Sequence, residues 1–172
     1  MARARPGGLP LPARLTRPAL ALAAVTLALF GVSRTTGSGW LVVVVTGLLS
    51  VLGLAAVLPA FGLARVTVAV DAPRDATVGR PTELTVELGG GSAPVSLRPR
   101  GWDAPWTGAF GPCRGALEAT PTRRGVYDEL VLDVRGAAPL GLVWWRRRVT
   151  VALTRPLSVG PRPAGDEVVP PE

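Results

Sequence analysis

Hydrophobic and polar positions change their rhythm once along this chain, near residue 65. Ahead of that point lie two apolar runs with no amphipathic period. Residues 19–32 (ALALAAVTLALFGV) are apolar or small and stop at Ser33 and Arg34. A bilayer core of about 30 Å takes roughly 20 helical residues. The first run therefore spans only by borrowing Leu15 to Pro18, with Arg17 snorkelling to the headgroups. Gly37-Ser38-Gly39 predicts a tight turn, and residues 40–63 then run without a charge behind Trp40, an aromatic suited to a membrane interface. The pattern predicts a transmembrane helical hairpin over 19–63. A signal peptide is the rival reading of the first run, since the start is basic and Gly31 and Ser33 are small residues at cleavage-site spacing.

From Arg65 the alternation is that of strands. Val66, Val68 and Val70 alternate with Thr67, Ala69 and Asp71, and Leu84, Val86 and Leu88 with Glu83, Thr85 and Glu87. Residues 71–81 are turn-rich, Gly89-Gly90-Gly91 stops the second strand, and a short strand covers 95–97. Residues 99–113 read as an irregular loop holding Trp102, Trp106 and Phe110. Further strands are expected at 116–120, 126–134, 142–153 and 157–159. Short strands punctuated by Pro and Gly predict an antiparallel Ig-like β-sandwich of about seven strands over 65–160. Residues 1–18, rich in Arg and Pro, are expected to be disordered, and 161–172 to form a Pro-rich tail. The fold class is a membrane-anchored all-β protein.

Charge refines this picture. The chain has 172 residues and a net charge of +7, and every basic residue is arginine. Arg3, Arg5, Arg14, Arg17 and Arg34 stand in residues 1–64 with no acid, so most of the excess lies at the membrane end. Four of them precede the first span and one lies between the two. This predicts a cytoplasmic amino end and, after the second span, a cytoplasmic β domain. The β region is nearly balanced and lacks a wide basic stripe, which argues against nucleic acid. There is no histidine, and Cys113 is the single cysteine. An intrachain disulfide is therefore impossible, and Cys113 has no histidine base to activate it.

Several short motifs follow one another in a recognisable order. They are Arg124-Gly125-Val126-Tyr127, then Pro139-Leu140-Gly141-Leu142, then Arg146-Arg147-Arg148 and Val159-Gly160-Pro161. With the helical hairpin ahead of them, they make the chain resemble the amino-terminal half of the bacterial membrane proteins called domain of unknown function 58. The resemblance implies a two-helix anchor in the inner membrane of a bacterium, followed by a β-rich domain. It implies an association with AAA+ ATPases of the MoxR type, and hence a role in assisting complex assembly. Two departures stand out. Ala138 replaces the aspartate that usually precedes the Pro-Leu-Gly-Leu turn. The von Willebrand factor A-like domain that follows in typical members, and is expected to hold any metal-dependent site, is missing by Glu172. The chain has no Asp-x-Ser-x-Ser stretch, so no metal ligand and no cofactor is carried over.

Among local features, Trp144-Trp145-Arg146-Arg147-Arg148 is the most conspicuous. Three arginines and two indoles suit an anionic leaflet or an acidic partner protein. The plainer alternative is an amphipathic strand, with Trp144, Arg146 and Arg148 on one face and Trp145, Arg147 and Val149 on the other. One tryptophan would then be core, its edge covered by arginine stems. Gly89-Gly90-Gly91 lacks the Lys-Ser/Thr and the helix of a phosphate loop and reads as a flexible hairpin connection. Tyr127 is expected to bury its ring and bond through its hydroxyl. Asp128 and Glu129 are adjacent on a strand and point apart, so they make no acid/base pair.

The expected function is therefore a membrane-anchored, non-catalytic interaction or scaffold protein without cofactor. Its partners are the lipid bilayer and an AAA+ ATPase or a separate von Willebrand A-like domain, with the oligomeric state open. Two alternatives stand beside it. One is a truncated or split fragment whose missing domain carries metal-dependent binding. The other is a small enzyme, whose turnover would depend on Asp103 or Tyr127.

Overall fold

The computed structural model describes residues 2–5, 10–91, 93–137 and 140–162. Two antiparallel helices dominate its first third, α1 (Arg17–Thr36) and α2 (Gly39–Arg65). Both are long and apolar enough to cross a membrane, and only 17% of the apolar window of each is buried by the protein itself. That exposure separates them from core helices, which are apolar all round because protein covers them. The buried residues of α1 are Ala19, Thr26 and Ser33, each seven residues from the next. Such a stripe of small residues lets two helix backbones approach closely. Leu27, Phe30, Val43 and Phe61 point outward and are uncovered.

The β region holds more strands than periodicity predicts. Ahead of the helices stand β1 (Ala2–Arg5) and β2 (Leu11–Leu15). Behind them come β3 (Thr67–Asp71), β4 (Asp75–Thr77), β5 (Thr82–Gly89) and β6 (Pro94–Pro99). The rest are β7 (Trp102–Asp103), β8 (Thr107–Phe110), β9 (Cys113–Pro121), β10 (Gly125–Gly136) and β11 (Val143–Gly160). One antiparallel set runs β7-β9-β5-β3 and the other β8-β6-β10-β11, with β1 joining them by pairing with both β3 and β11. β2 runs antiparallel beside the start of β11, and β4 runs parallel beside its end. Val68, Val70, Leu84, Val86 and Leu117 from the first set share one buried cluster with Leu97, Leu130, Leu132, Val134, Val149, Val151 and Leu157 from the second.

Three sequence expectations are corrected here. Residues 1–18, expected to be disordered, contain β1 and β2. Their polar composition does not prevent strand formation, because the edge of β11 supplies backbone partners for Leu11, Pro12, Arg14 and Leu15. The loop expected at 99–113 contains β7 and β8, which lie at the two ends of the strand order. The strands expected at 142–153 and 157–159 lie on one continuous strand, β11, but the expected break survives as an irregularity: the pairing with β10 shifts register between Ala152 and Leu157, around Arg155-Pro156. The tail after Arg162 lies outside the described residues.

α2 has 27 residues to the 20 of α1, an excess of about two turns. Those turns enter the β region. Leu63 belongs to the buried cluster, and its Cδ1 lies 3.9 Å from where a Cβ on Gly136 would stand. Pro59 sits inside the helix where the excess begins and is buried. Having no N–H, it leaves the carbonyl of Ala55 without its helical donor.

Candidate functional site

Strand register brings together a set of charged residues that are far apart in sequence. Asp133 of β10 pairs with Arg98 of β6 on one side and Arg148 of β11 on the other. Arg135 likewise stands between Ser96 and Arg146. Residues directly opposite one another share a face, and this face points away from Leu132, Val134 and Val149 of the core. The guanidinium carbon of Arg135 lies 3.9 Å from the Trp106 ring centroid and 5.0 Å from that of Trp144. That of Arg98 lies 4.6 Å from the Trp106 centroid. Arginine and tryptophan thus alternate in the order Arg98, Trp106, Arg135, Trp144. A cation over an indole is stabilised by about 0.5–2 kcal/mol, more as water is excluded.

One carboxylate lies beneath this layer. Asp133 is 1% exposed, accepts a hydrogen bond from Arg146 Nη2, and holds Arg148 Nε at 3.9 Å. Within the paired stretches 94–99, 132–136 and 145–149 it is the sole acid on this face, opposite Arg98, Arg135, Arg146 and Arg148. The face therefore carries an excess of positive charge. Burial, and after it the neighbouring Arg98 guanidinium, lower the pKa of Arg135 from its ordinary value. Its Nε is buried without a hydrogen-bond partner among the described residues.

The opposite face of β11 is committed to α2. Trp145 Nε1 donates to the carbonyl of Ala56 at 2.8 Å. Arg147 is buried, and its Nη1 donates to the carbonyls of Ala64 at 2.9 Å and Leu63 at 3.3 Å. The last carbonyls of a helix have no partner within it and carry its negative pole. A guanidinium there satisfies both the hydrogen bonds and the charge. Of the five residues Trp144 to Arg148, then, Trp145 and Arg147 are turned inward, while Trp144, Arg146 and Arg148 belong to the outer face.

The remaining motif residues lie at both ends of β10, a strand of 12 residues. At its start, Arg124 is exposed and Gly125 has φ +153°, a backbone conformation that L side chains rarely adopt. Tyr127 donates its hydroxyl to the carbonyl of Arg123 at 2.9 Å, and its ring meets Trp102 edge-on at 6.0 Å. Beyond the other end, the Gly141 N–H donates to Ala137 O at 2.7 Å. Leu140 is half-exposed, and the Leu142 carbonyl accepts from both N and Oγ1 of Thr16. Pro139 lies outside the described residues. These motifs therefore do not converge on one site.

Gly89-Gly90-Gly91, read from sequence as a flexible connection, is instead a close crossing. A Cβ on Gly90, where φ is +75°, would collide with the carbonyl oxygen of Arg65. Among the described residues no group of three or more His, Cys, Asp or Glu is placed to hold a metal ion. Cys113 is a free thiol beside a cleft of about 280 Å³ between β5, β6, β8 and β9. No protein-family model matches the sequence, and no curated protein matches it.

Sequence reasoning missed Arg98, Trp106, Asp133 and Arg135. The signal was faint but present, since Asp133 and Arg135 alternate with Leu132 and Val134 in the stretch 130–136, where the alternate positions Leu130, Leu132, Val134 and Gly136 are all apolar or small. What could not be read was that β6 lies beside β10 and delivers Arg98 to the same face.

Proposed function

We propose that the chain is an inner-membrane protein in which a transmembrane helical hairpin carries a cytoplasmic Ig-like β-sandwich, and that this domain is a non-catalytic interaction module. The observation that carries the reading is the pairing of β2, which precedes α1, with β11, which follows α2. Strands on either side of a helix pair can share backbone hydrogen bonds only when both ends of the pair open on one side. A membrane hairpin has that geometry. The arginine bias favours the cytoplasm as that side. A cleaved signal peptide would take β1 and β2 with it, so their pairing favours a retained hairpin over that rival. Two antiparallel strand sets around one cluster support the sandwich. So does Tyr127, whose bond back to Arg123 has the form of the tyrosine corner of Ig-like domains.

The resemblance to domain of unknown function 58 supports the kind of partner, a MoxR-type AAA+ ATPase or a von Willebrand A-like domain on a separate chain. β7 and β8, at the ends of the strand order, offer edges for a partner strand. The anchor reading is tested by labelling intact cells with a membrane-impermeant maleimide. Ser38→Cys should react from the periplasm and native Cys113 should not; reaction of Cys113 alone would contradict it. The partner reading is tested with proteoliposomes of the full chain and a purified MoxR-type ATPase from the same genome. It predicts retention of the ATPase that is lost when charged residues are placed on β8, and is contradicted by retention equal to that of empty liposomes.

A further inference from the structure

The arginine and tryptophan face lies next to the start of the first apolar helix. Thr16, directly ahead of α1, bonds to Leu142 O through both its backbone N and its side chain, at 3.1 and 3.0 Å. Arg14 and Leu15 pair with Trp144 and Val143. Trp144, one end of the Arg98, Trp106, Arg135, Trp144 series, is thereby held at the level where α1 begins. On the neighbouring strand residue, Trp145 bonds into α2 at Ala56. If α1 and α2 span the bilayer, this end of the β domain is at its surface.

Large apolar side chains are exposed at the same end. Leu11 is 68%, Leu15 64%, Leu140 51% and Phe110 70% exposed. Phe110 also forms part of a mainly apolar groove of about 510 Å³ whose walls include Val95, Ala109, Phe110, Ala137, Gly141 and Trp144. Trp144 is shared by the groove and the arginine series, which places an apolar recess next to an excess of positive charge. From this juxtaposition we propose that the face binds an anionic phospholipid of the inner leaflet. Its phosphate lies against Arg135 and Arg98, and one acyl chain lies in the groove beside Trp144 and Phe110. A soluble acidic protein would match the arginines but not the groove or its level. A zwitterionic lipid would match the groove but not the charge.

The proposal rests on the membrane-anchored reading, and its test separates the two. The full chain, purified in detergent, is titrated with phosphatidylglycerol or phosphatidylcholine and its lipid-bound forms are counted by native mass spectrometry. The first phosphatidylglycerol should bind about tenfold more tightly than phosphatidylcholine. Arg98→Gln with Arg135→Gln should abolish that preference, and Arg98→Lys with Arg135→Lys should keep most of it. Phe110→Asp, in the groove wall, should weaken both lipids. Should the glutamine pair fail to fold, the lysine pair and Phe110→Asp still decide the matter, because loss of preference in the lysine pair or no effect of Phe110→Asp contradicts the site. No preference in the wild-type chain overturns the proposal and leaves the face to an acidic protein. If Ser38→Cys is also unreactive from the periplasm, the anchor reading fails with it; if it reacts normally, only the lipid site fails.

Discussion

Gly90 has no chemistry of its own, yet it fixes how the chain leaves α2. Its positive φ and the Arg65 carbonyl next to the Cβ position admit no other residue without movement of the backbone. Gly90→Ala is expected to destabilise the full chain by about 1–3 kcal/mol, read as a lowered midpoint of thermal unfolding in detergent. An unchanged midpoint would mean that α2 does not pass where the structure places it. Gly125 and Tyr127 show the same dependence of residue type on local geometry. Their identities were legible in the sequence as a motif, but the reason for them was not. The positive φ and the hydroxyl bond to Arg123 exist only once β10 has turned out of the preceding loop. Asp133 was hidden for a different cause. An acid between Leu132 and Val134 reads as a solvated strand residue, and only the cross-strand arginines explain why it is buried.

At the scale of elements, α2 is two helices in one. Its first part is largely uncovered, while its last turns, from about Ala55 through Pro59 to the end, meet the β region through the Trp145 bond to Ala56, the burial of Leu63 and the Arg147 bonds to Leu63 and Ala64. The apolar run from 40 to 63 was legible because lack of charge over that length has few other meanings. The change of role within it was not, since the surrounding strands, not the helix sequence, decide where cover begins. Strand alternation also revealed β3 and β5. It failed for β1 and β2, whose pairing with β11 is long-range and leaves no periodicity. Arg147 carries a direct prediction here. Arg147→Met leaves the Leu63 and Ala64 carbonyls without their donor and should cost about 1–3 kcal/mol in unfolding experiments on the full chain. Arg148→Met, on the outer face, should cost less than Arg147→Met; equal effects would contradict the inward placement of Arg147.

For the whole molecule, these contacts make the β domain a fixed extension of the second helix. A domain on a flexible tether would sample many orientations toward the bilayer. One held by Trp145, Arg147 and Leu63 presents the same face in a fixed relation to the helices, as both the proposed lipid site and the proposed partner edges on β7 and β8 require. The most direct test of this account is a disulfide between α2 and the loop before β6. The Cβ of Ala93 lies 4.0 Å from where a Cβ on Gly62 would stand, within the range a disulfide spans. In a Cys113→Ser background, Gly62→Cys with Ala93→Cys should form an intramolecular disulfide under mild oxidation in native membranes, read as protection of both thiols from a mass-tagged maleimide. Gly62→Cys with Arg124→Cys, at the far end of β10, should stay reactive. Protection of the first pair alone is the predicted result; full reactivity of both pairs, or equal protection of both, would show that the domain is not seated on the helix as described.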